Sequence, residues 1–142
     1  MRAEPSPGQA LSAMGMATLL ALSISHGSFA AGGECGSAAS QAEMTRCFGD
    51  RAKAASAALG SALSQYRARL AGDQLKLFDS SQSAWETYRD LDCRFQASGV
   101  KGGSAYSMIL SQCLETRARR RIADIRQLAA CEEGDLSCPA WK

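Results

Sequence analysis

The sequence predicts an all-α domain in which three helices form an antiparallel, bundle-like arrangement held by disulfide bonds. Three segments repeat apolar residues at the three- and four-residue spacing of an amphipathic helix. No stretch shows the alternation of Val, Ile and Thr that a strand needs, and beyond residue 30 Val100 is the single valine. Six cysteines in so short a chain are typical of a disulfide framework.

Residues 1–30 have the pattern of a secretory signal peptide. An apolar run over residues 10–24 follows Arg2, and Ser28 and Ala30 occupy the small-residue positions before a cleavage site. The run is shorter than the roughly 18 to 20 residues of a membrane-spanning helix. We therefore expect a periplasmic or secreted product, residues 31–142, that forms a single domain with no stable membrane insertion.

Composition excludes several classes of function. The net charge stays near +2 once Arg2 and Glu4 are removed, which favours neither nucleic acid nor an anionic membrane as a partner. The single histidine, His26, is removed with the signal peptide, so a Ser-His or Cys-His pair and a His-ligated metal site are excluded. The cysteine spacing contains no CxxC. We predict no metal, no cofactor and no catalysis; the oligomeric state is left open.

The first predicted helix covers residues 41–70. Its inward stripe comprises Met44, Phe48, Ala55, Leu59, Leu63, Tyr66 and Leu70. Ser40 followed by Glu43 matches a capping box. Gly60 is expected to bend or shorten the helix. Residues 71–73 form the predicted turn, with Asp73 as the next N-cap.

The second helix is predicted over residues 74–97 and the third over residues 105–129, separated by a glycine-rich loop at 98–104. The predicted inward residues of the second helix are Leu75, Phe78, Trp85, Tyr88, Leu91 and Phe95. Those of the third are Leu110, Leu114, Ala118, Ile122, Ile125 and Leu128. These elements place the core within residues 35–129 and leave residues 131–138 as a short C-terminal disulfide loop.

Six cysteines allow fifteen pairings, and the helix order favours one set. An antiparallel helix pair brings Cys93 to Cys113. Cys35 can fold back on Cys47, and Cys131 can close on Cys138. We predict these three bonds.

The segment QSAWETYRDLDC, residues 82–93, is the most distinctive in the chain. Its pattern consists of Gln82, Trp85, Tyr88, Arg89, Asp90 and Cys93, preceded by EMTRC at residues 43–47 and followed by Gly102, Gly103 and Cys113. Together these residues resemble the N-terminal domain of the LprI lysozyme-inhibitor family, over about residues 35–128. The resemblance implies an exported, helical, disulfide-bonded domain and, through the family's name, lysozyme inhibition.

The acidic residues of this segment raise the alternative of an enzyme. Glu86, Asp90 and Asp92 are close enough on one helix to suggest the paired carboxylates of a glycosidase. Such carboxylates face each other across a cleft, whereas these lie beside Arg89 on the predicted wetter side. We favour a structural role, in which Trp85 and Tyr88 fill the core while Gln82 and Arg89 bind backbone carbonyl groups.

Two surfaces are candidate contacts for a protein partner, possibly a lysozyme. One is the acidic loop with Glu132, Glu133 and Asp135, which a Cys131 to Cys138 bond would stiffen. The other is the arginine-rich third helix, for which the spacing favours a solvated face and the candidate contacts are Arg117 and Arg121. A net charge of +2 gives no long-range attraction to a basic lysozyme. The alternative function is an envelope interaction or stress-response module that binds an unknown partner through an apolar groove.

Overall fold

The computed structural model describes residues 35–132, 134–136 and 138–139. The predicted signal peptide, residues 1–30, lies outside them. The described residues form three α-helices and no strand: α1 (Gln41–Arg67), α2 (Gly72–Ala97) and α3 (Tyr106–Ala129). A short 3-10 turn, Ser98–Val100, follows α2. The predicted all-α class and the three-helix arrangement are confirmed.

Helix α1 begins as the sequence predicts. The backbone N–H of Glu43 donates to the side-chain oxygen of Ser40 at 3.3 Å, which satisfies one of the free amides of the first turn. Helix α1 is not broken at Gly60, since it continues through this residue to Arg67. Burial of the flanking Leu59 and Tyr66 outweighs the low helix propensity of one glycine.

The core lies mainly between α1 and α3. One buried cluster joins Ala55 and Leu59 of α1 to Ala118 and Ile122 of α3. A second joins Tyr66 and Leu70, at the end of α1, to Ile125 of α3. The order of these contacts shows that α1 and α3 run parallel to each other. Helix α2, which lies between them in the chain, runs antiparallel to both. The inward stripes predicted for these two helices are confirmed.

The start of α2 differs from the prediction. The helix begins at Gly72 rather than after residue 73, and its N-cap, Ala71, makes no side-chain capping bond. Asp73, the predicted N-cap, lies instead within the first turn and pairs with Lys76 at 2.9 Å. Gly72 has φ +57°, in the left-handed region that favours glycine, so it sets the direction of the turn.

Helix α2 packs through a different face from the predicted one. Its buried residues are Gln82, Cys93 and Ala97, and Leu75, Phe78 and Trp85 are partly buried against the clusters. The prediction that Tyr88, Leu91 and Phe95 face inward is wrong: they are 54%, 61% and 77% exposed. Each lies roughly 120° or more around the helix from the mean direction of the buried residues.

The two motif glycines shape the connection from α2 to α3. Gly102 has φ +83°, which side-chain-bearing residues rarely adopt. A Cβ on Gly103 would lie 3.2 Å from the carbonyl oxygen of Val100, which also accepts the Gly103 amide at 3.0 Å. Both glycines therefore allow the turn that connects α2 to α3.

The three predicted disulfide pairings are confirmed. Cys35 bonds to Cys47, Cys93 to Cys113, and Cys131 to Cys138, so the first fixes the segment before α1, the second joins α2 to α3, and the third closes the C-terminal loop. Three structural disulfides in one small domain indicate an oxidising, extracytoplasmic compartment.

None of the helices in the described part of the chain combines the length and apolar character that crossing a membrane requires.

Candidate functional site

The residues of the central motif meet α3 along one line of contact, which we call the α2–α3 seam. Its members are Gln82, Trp85, Tyr88, Arg89 and Asp92 of α2 with Arg117 and Arg121 of α3. The helical spacing of three, four and seven residues brings these side chains to neighbouring turns. The sequence pattern therefore corresponds to an interface within the domain.

Gln82 lies at the buried end of the seam. Its side chain is almost fully buried, and its amide oxygen accepts a hydrogen bond from Arg121 Nε at 3.1 Å. Its amide nitrogen donates to Glu86 Oε1 at 3.2 Å. The prediction that Gln82 and Arg89 bind backbone carbonyls is wrong, since the partner of Arg89 is also a side chain, the carboxylate of Asp90 at 2.8 Å. A buried amide with both ends bonded avoids the cost of an unsatisfied polar group.

Trp85 lies close to two guanidinium groups. The central carbon of Arg89 is 5.3 Å from the centre of its ring and that of Arg121 is 5.6 Å away. These distances are within the range of a cation–π interaction. Trp85 is only partly buried, so the expectation that it fills the core is met in part. The arginines complete its surroundings.

Tyr88 and Asp92 share one arginine of α3. Arg117 lies 5.8 Å from the centre of the Tyr88 ring, and its Nη2 is 2.6 Å from Asp92 Oδ2. The side chains of Arg117 and Asp92 are 24% and 19% exposed, so this ion pair is shielded from water on several sides. Arg117 and Arg121 are thus held within the domain, and the predicted solvated arginine face does not include them.

A second buried charge lies on the other side of α3. Glu115 is 4% exposed, and its Oε1 accepts from Arg51 Nη2 of α1 at 2.9 Å and from Arg119 Nε at 2.8 Å. The pairing of Glu115 with Arg119 follows from their four-residue spacing within α3. Arg51 was not predicted, because nothing local in the sequence links it to a residue 64 positions away.

The carboxylates of the motif are bonded within α2 or across the seam. Glu86 accepts from Gln82, Asp90 from Arg89, and Asp92 from Arg117. Among the described residues the group of potential metal ligands that comes together is Asp92, Cys93 and Cys113, and its two sulfur atoms are joined in a disulfide. This arrangement supplies neither a facing pair of carboxylates nor free thiolates.

The C-terminal disulfide loop presents a different surface. Glu132 and Asp135 are exposed, and Leu136 between them and Cys138 is fully exposed. Within the loop the Asp135 amide donates to the Glu132 carbonyl at 3.3 Å, and the Cys138 amide donates to the Asp135 carbonyl at 3.0 Å. Two turns and a disulfide therefore hold an apolar side chain next to acidic ones. Glu133, the third predicted contact, lies outside the described residues.

Leu136 is not among the contact residues that the sequence predicts. The available signal was a single leucine in an otherwise polar segment between two cysteines, a position with no neighbouring apolar residue to pack against.

An apolar groove opens near this loop. It has a volume of about 190 Å³ and lies between the end of α1, the start of α2 and the end of α3. Its lining includes Leu70, Leu77, Phe78, Leu128 and Pro139. A groove of this size and character fits one bulky apolar side chain.

Comparison with known proteins agrees with the resemblance seen in the sequence. A family model described as "Lysozyme inhibitor LprI" matches residues 33–125. An uncharacterized protein of Rhizobium meliloti (strain 1021) is 34% identical over 59 residues, which is 42% of this chain and 42% of that protein. The match thus spans about two fifths of the relative's length. No solved structure matches. Because the family model covers both disulfides of the helical region, the motif and most of α3, the chain belongs to the LprI lysozyme inhibitor family.

Proposed function

We propose that this protein is an exported binding protein that inhibits a lysozyme-type muramidase and has no catalytic activity of its own. The first thirty residues would direct it to the periplasm or the outside of the cell and be removed there. Family membership supports the choice of lysozyme as the target.

The observation that carries the proposal is the disulfide loop. The active site of a lysozyme is a cleft with two carboxylates, and an inhibitor must block it with a projecting, rigid element. Leu136 is fully exposed on a loop closed by Cys131 and Cys138. A loop that is already ordered loses little conformational entropy on binding.

Charge on the loop supports a basic partner. Glu132 and Asp135 are both exposed beside Leu136 and can pair with arginines or lysines at the rim of a basic lysozyme's cleft. The whole protein has a net charge of +2, so attraction would be confined to the loop. We expect that long-range electrostatic attraction does not strongly raise the association rate. The dissociation rate should depend on the loop contacts.

The experiment is a lysozyme turbidity assay with purified protein beginning at residue 31. We expect inhibition that weakens when Leu136→Ala or the pair Glu132→Lys and Asp135→Lys is introduced. Asp124→Lys is the control for charge reversal, because it makes the same change as each single loop substitution, at an exposed position of α3. Wild-type protein that neither binds nor inhibits any lysozyme at micromolar concentration would contradict the proposal. Equal inhibition by the loop variants and the wild type would show that the contact surface lies outside the loop.

The apolar groove supports the second candidate, an envelope interaction or stress-response module. Leu77 is 73% exposed at the edge of the groove, so an apolar side chain of a partner peptide could dock there. Leu77→Asp would remove such binding and leave lysozyme inhibition unchanged. The same variant therefore distinguishes the two functions.

A further inference from the structure

We propose that α2 forms the interface of a homodimer, in which two copies pack their α2 helices antiparallel about a two-fold axis. The contact surface is the outer stripe of α2, which consists of Leu77, Ala84, Tyr88, Leu91 and Phe95. The proposal is independent of lysozyme inhibition, since the disulfide loop lies outside this stripe.

The outer stripe is continuous along the helix. At 100° per residue its five members fall within an arc of about 60°, and the distance from Leu77 to Phe95 is about 27 Å. Four of the five are large apolar residues that are 54% to 77% exposed, with Phe95 the most exposed. Contiguous apolar surface of this kind marks an interaction site.

Helix α2 is unusual in which face it presents to solvent. Its inner face carries Gln82 and Arg89, which are bonded within the seam or to a neighbouring carboxylate. Its outer face carries Tyr88, Leu91 and Phe95. A surface helix of a monomer places its apolar arc toward the core and its polar arc toward water. Helix α2 instead leaves Leu77, Leu91 and Phe95 mostly exposed, while Tyr88, at the border of the seam, has Arg117 over one side of its ring.

The exposed area is sufficient for a dimer. An aromatic side chain buries about 150–250 Å² when fully covered, so Tyr88 and Phe95 each leave roughly 100–150 Å² available. With Leu77 and Leu91 the apolar part is roughly 500 Å² per copy. Two copies that cover this surface would bury about 1,000 Å² of it in total, which is the lower limit for a specific protein–protein interface.

The positions of large and small side chains along the outer stripe favour a second copy of this chain as the partner that binds it. If the two-fold axis passes near residue 86, Leu77 lies opposite Phe95 of the second copy and Ala84 lies opposite Tyr88. The second pair matches a small residue with a large one, as close helix packing requires. The same surface thus complements itself, as an isologous contact demands.

Charges permit this pairing. None of the five stripe residues is charged. Arg94 flanks the stripe and would approach Lys76 of the second copy, where Asp73 already neutralises that lysine at 2.9 Å. A membrane surface is the other apolar partner to consider. The near-neutral balance of the chain gives it little attraction to anionic lipid.

The test is the molar mass of the protein beginning at residue 31, measured by light scattering and sedimentation from about 1 to 100 micromolar. We expect a concentration-dependent dimer whose dissociation constant rises at least 100-fold in Phe95→Glu and in Leu91→Glu. Ser83→Glu is the control, because it adds the same charge at an exposed position of α2 about 110° around the helix from the centre of the stripe. It should dimerise as the wild type does.

Circular dichroism spectra should be unchanged in the two stripe variants, because both side chains are exposed in one copy. Their melting temperatures should equal that of the wild type at concentrations where the wild type is monomeric, and should lie below it where the wild type is a dimer. Wild-type protein that stays monomeric throughout the range would overturn the proposal. So would a dimer that persists in both stripe variants, or a monomer that binds phospholipid vesicles through Phe95 and Leu91.

Discussion

The side-chain oxygen of Gln82 accepts a hydrogen bond from Arg121 Nε at 3.1 Å, across the seam between α2 and α3. The same arginine lies over the ring of Trp85, one turn further along α2. One residue of α3 thus completes both the polar and the aromatic part of the motif. The pattern that identifies the family is therefore the means by which α2 attaches to the rest of the domain.

Arg121→Ala should lower the free energy of unfolding by about 1–3 kcal/mol, because it leaves the buried Gln82 oxygen without its donor. Urea unfolding followed by circular dichroism measures the change. Arg120→Ala, on the exposed side of the same helix, is the control and should change stability by no more than about 0.5 kcal/mol. Equal effects of the two substitutions would show that the seam does not depend on this bond.

Glu115→Gln should also destabilise the domain, by about 1–3 kcal/mol, since a buried carboxylate that accepts from Arg51 and Arg119 is replaced by a weaker acceptor. The control is Asp50→Asn, whose carboxylate is 66% exposed and 3.5 Å from Lys53. That exposed pair should contribute no more than about 0.5 kcal/mol to the free energy of unfolding. Thermal or urea unfolding separates the two. A silent Glu115→Gln variant would mean that the arginines are satisfied by water.

Two disulfides should differ in what their removal does. Replacing Cys93 and Cys113 together by alanine should cost about 3 kcal/mol, because the bond closes twenty residues and joins α2 to α3. Replacing Cys131 and Cys138 should cost about 2 kcal/mol or less, because the closed segment is short and exposed. The second change should nevertheless reduce lysozyme inhibition strongly. Melting temperature and the turbidity assay, measured on both variants, test this separation; a loop variant that inhibits fully would contradict it.

Acid should remove the contribution of one surface pair. The hydrogen bond from Arg67 holds the pKa of the Asp79 carboxyl below its ordinary value of 3.8. Its stabilising effect is therefore present above that value and is lost as pH falls through the lower pKa of the folded state. The difference in stability between wild type and Asp79→Asn, small at neutral pH, should shrink as pH falls below 3.8. A difference that is unchanged at pH 2 would show that the pair does not titrate as expected.

The sequence predicts α1 and α3 well because their apolar residues form one narrow stripe each. Phe48, Leu59 and Tyr66 in α1, and Ala118 and Ile125 in α3, are all buried as their spacing requires. The helix ends are less well predicted: α1 ends three residues early, at Arg67. There Ala68 and Arg69 form a tighter turn that leads into Gly72.

Helix α2 could not be predicted equally well, because apolar residues cover most of its circumference. Trp85 on the inner side and Phe95 on the outer side are both large apolar residues, so either could belong to the inward stripe. Only the contacts with α3 determine which of them faces inward. The deciding contacts are long-range and polar: Arg121 with Gln82, and Arg117 with Asp92. Neither pairing has a local signal in the sequence.

The candidate site shows the same limit. The acidic residues of the loop and its disulfide follow from composition and cysteine spacing. That Arg117 is paired within the domain depends on its neighbours in space, Tyr88 and Asp92. Exposure of Leu136 likewise depends on the absence of an apolar surface within its reach among the described residues.

The uneven attachment of α2 has a consequence for motion. Helices α1 and α3 share two buried clusters, whereas α2 adds partly buried side chains to them and is linked covalently to α3 near its own C-terminal end. Local opening takes the least protected element first. We therefore expect amide hydrogens in the first half of α2 to exchange with solvent before those of α1 and α3. The Cys93–Cys113 bond would stay intact during this opening and keep the C-terminal end of α2 attached to α3. The first half of α2 can therefore separate from the seam and return to the same contacts.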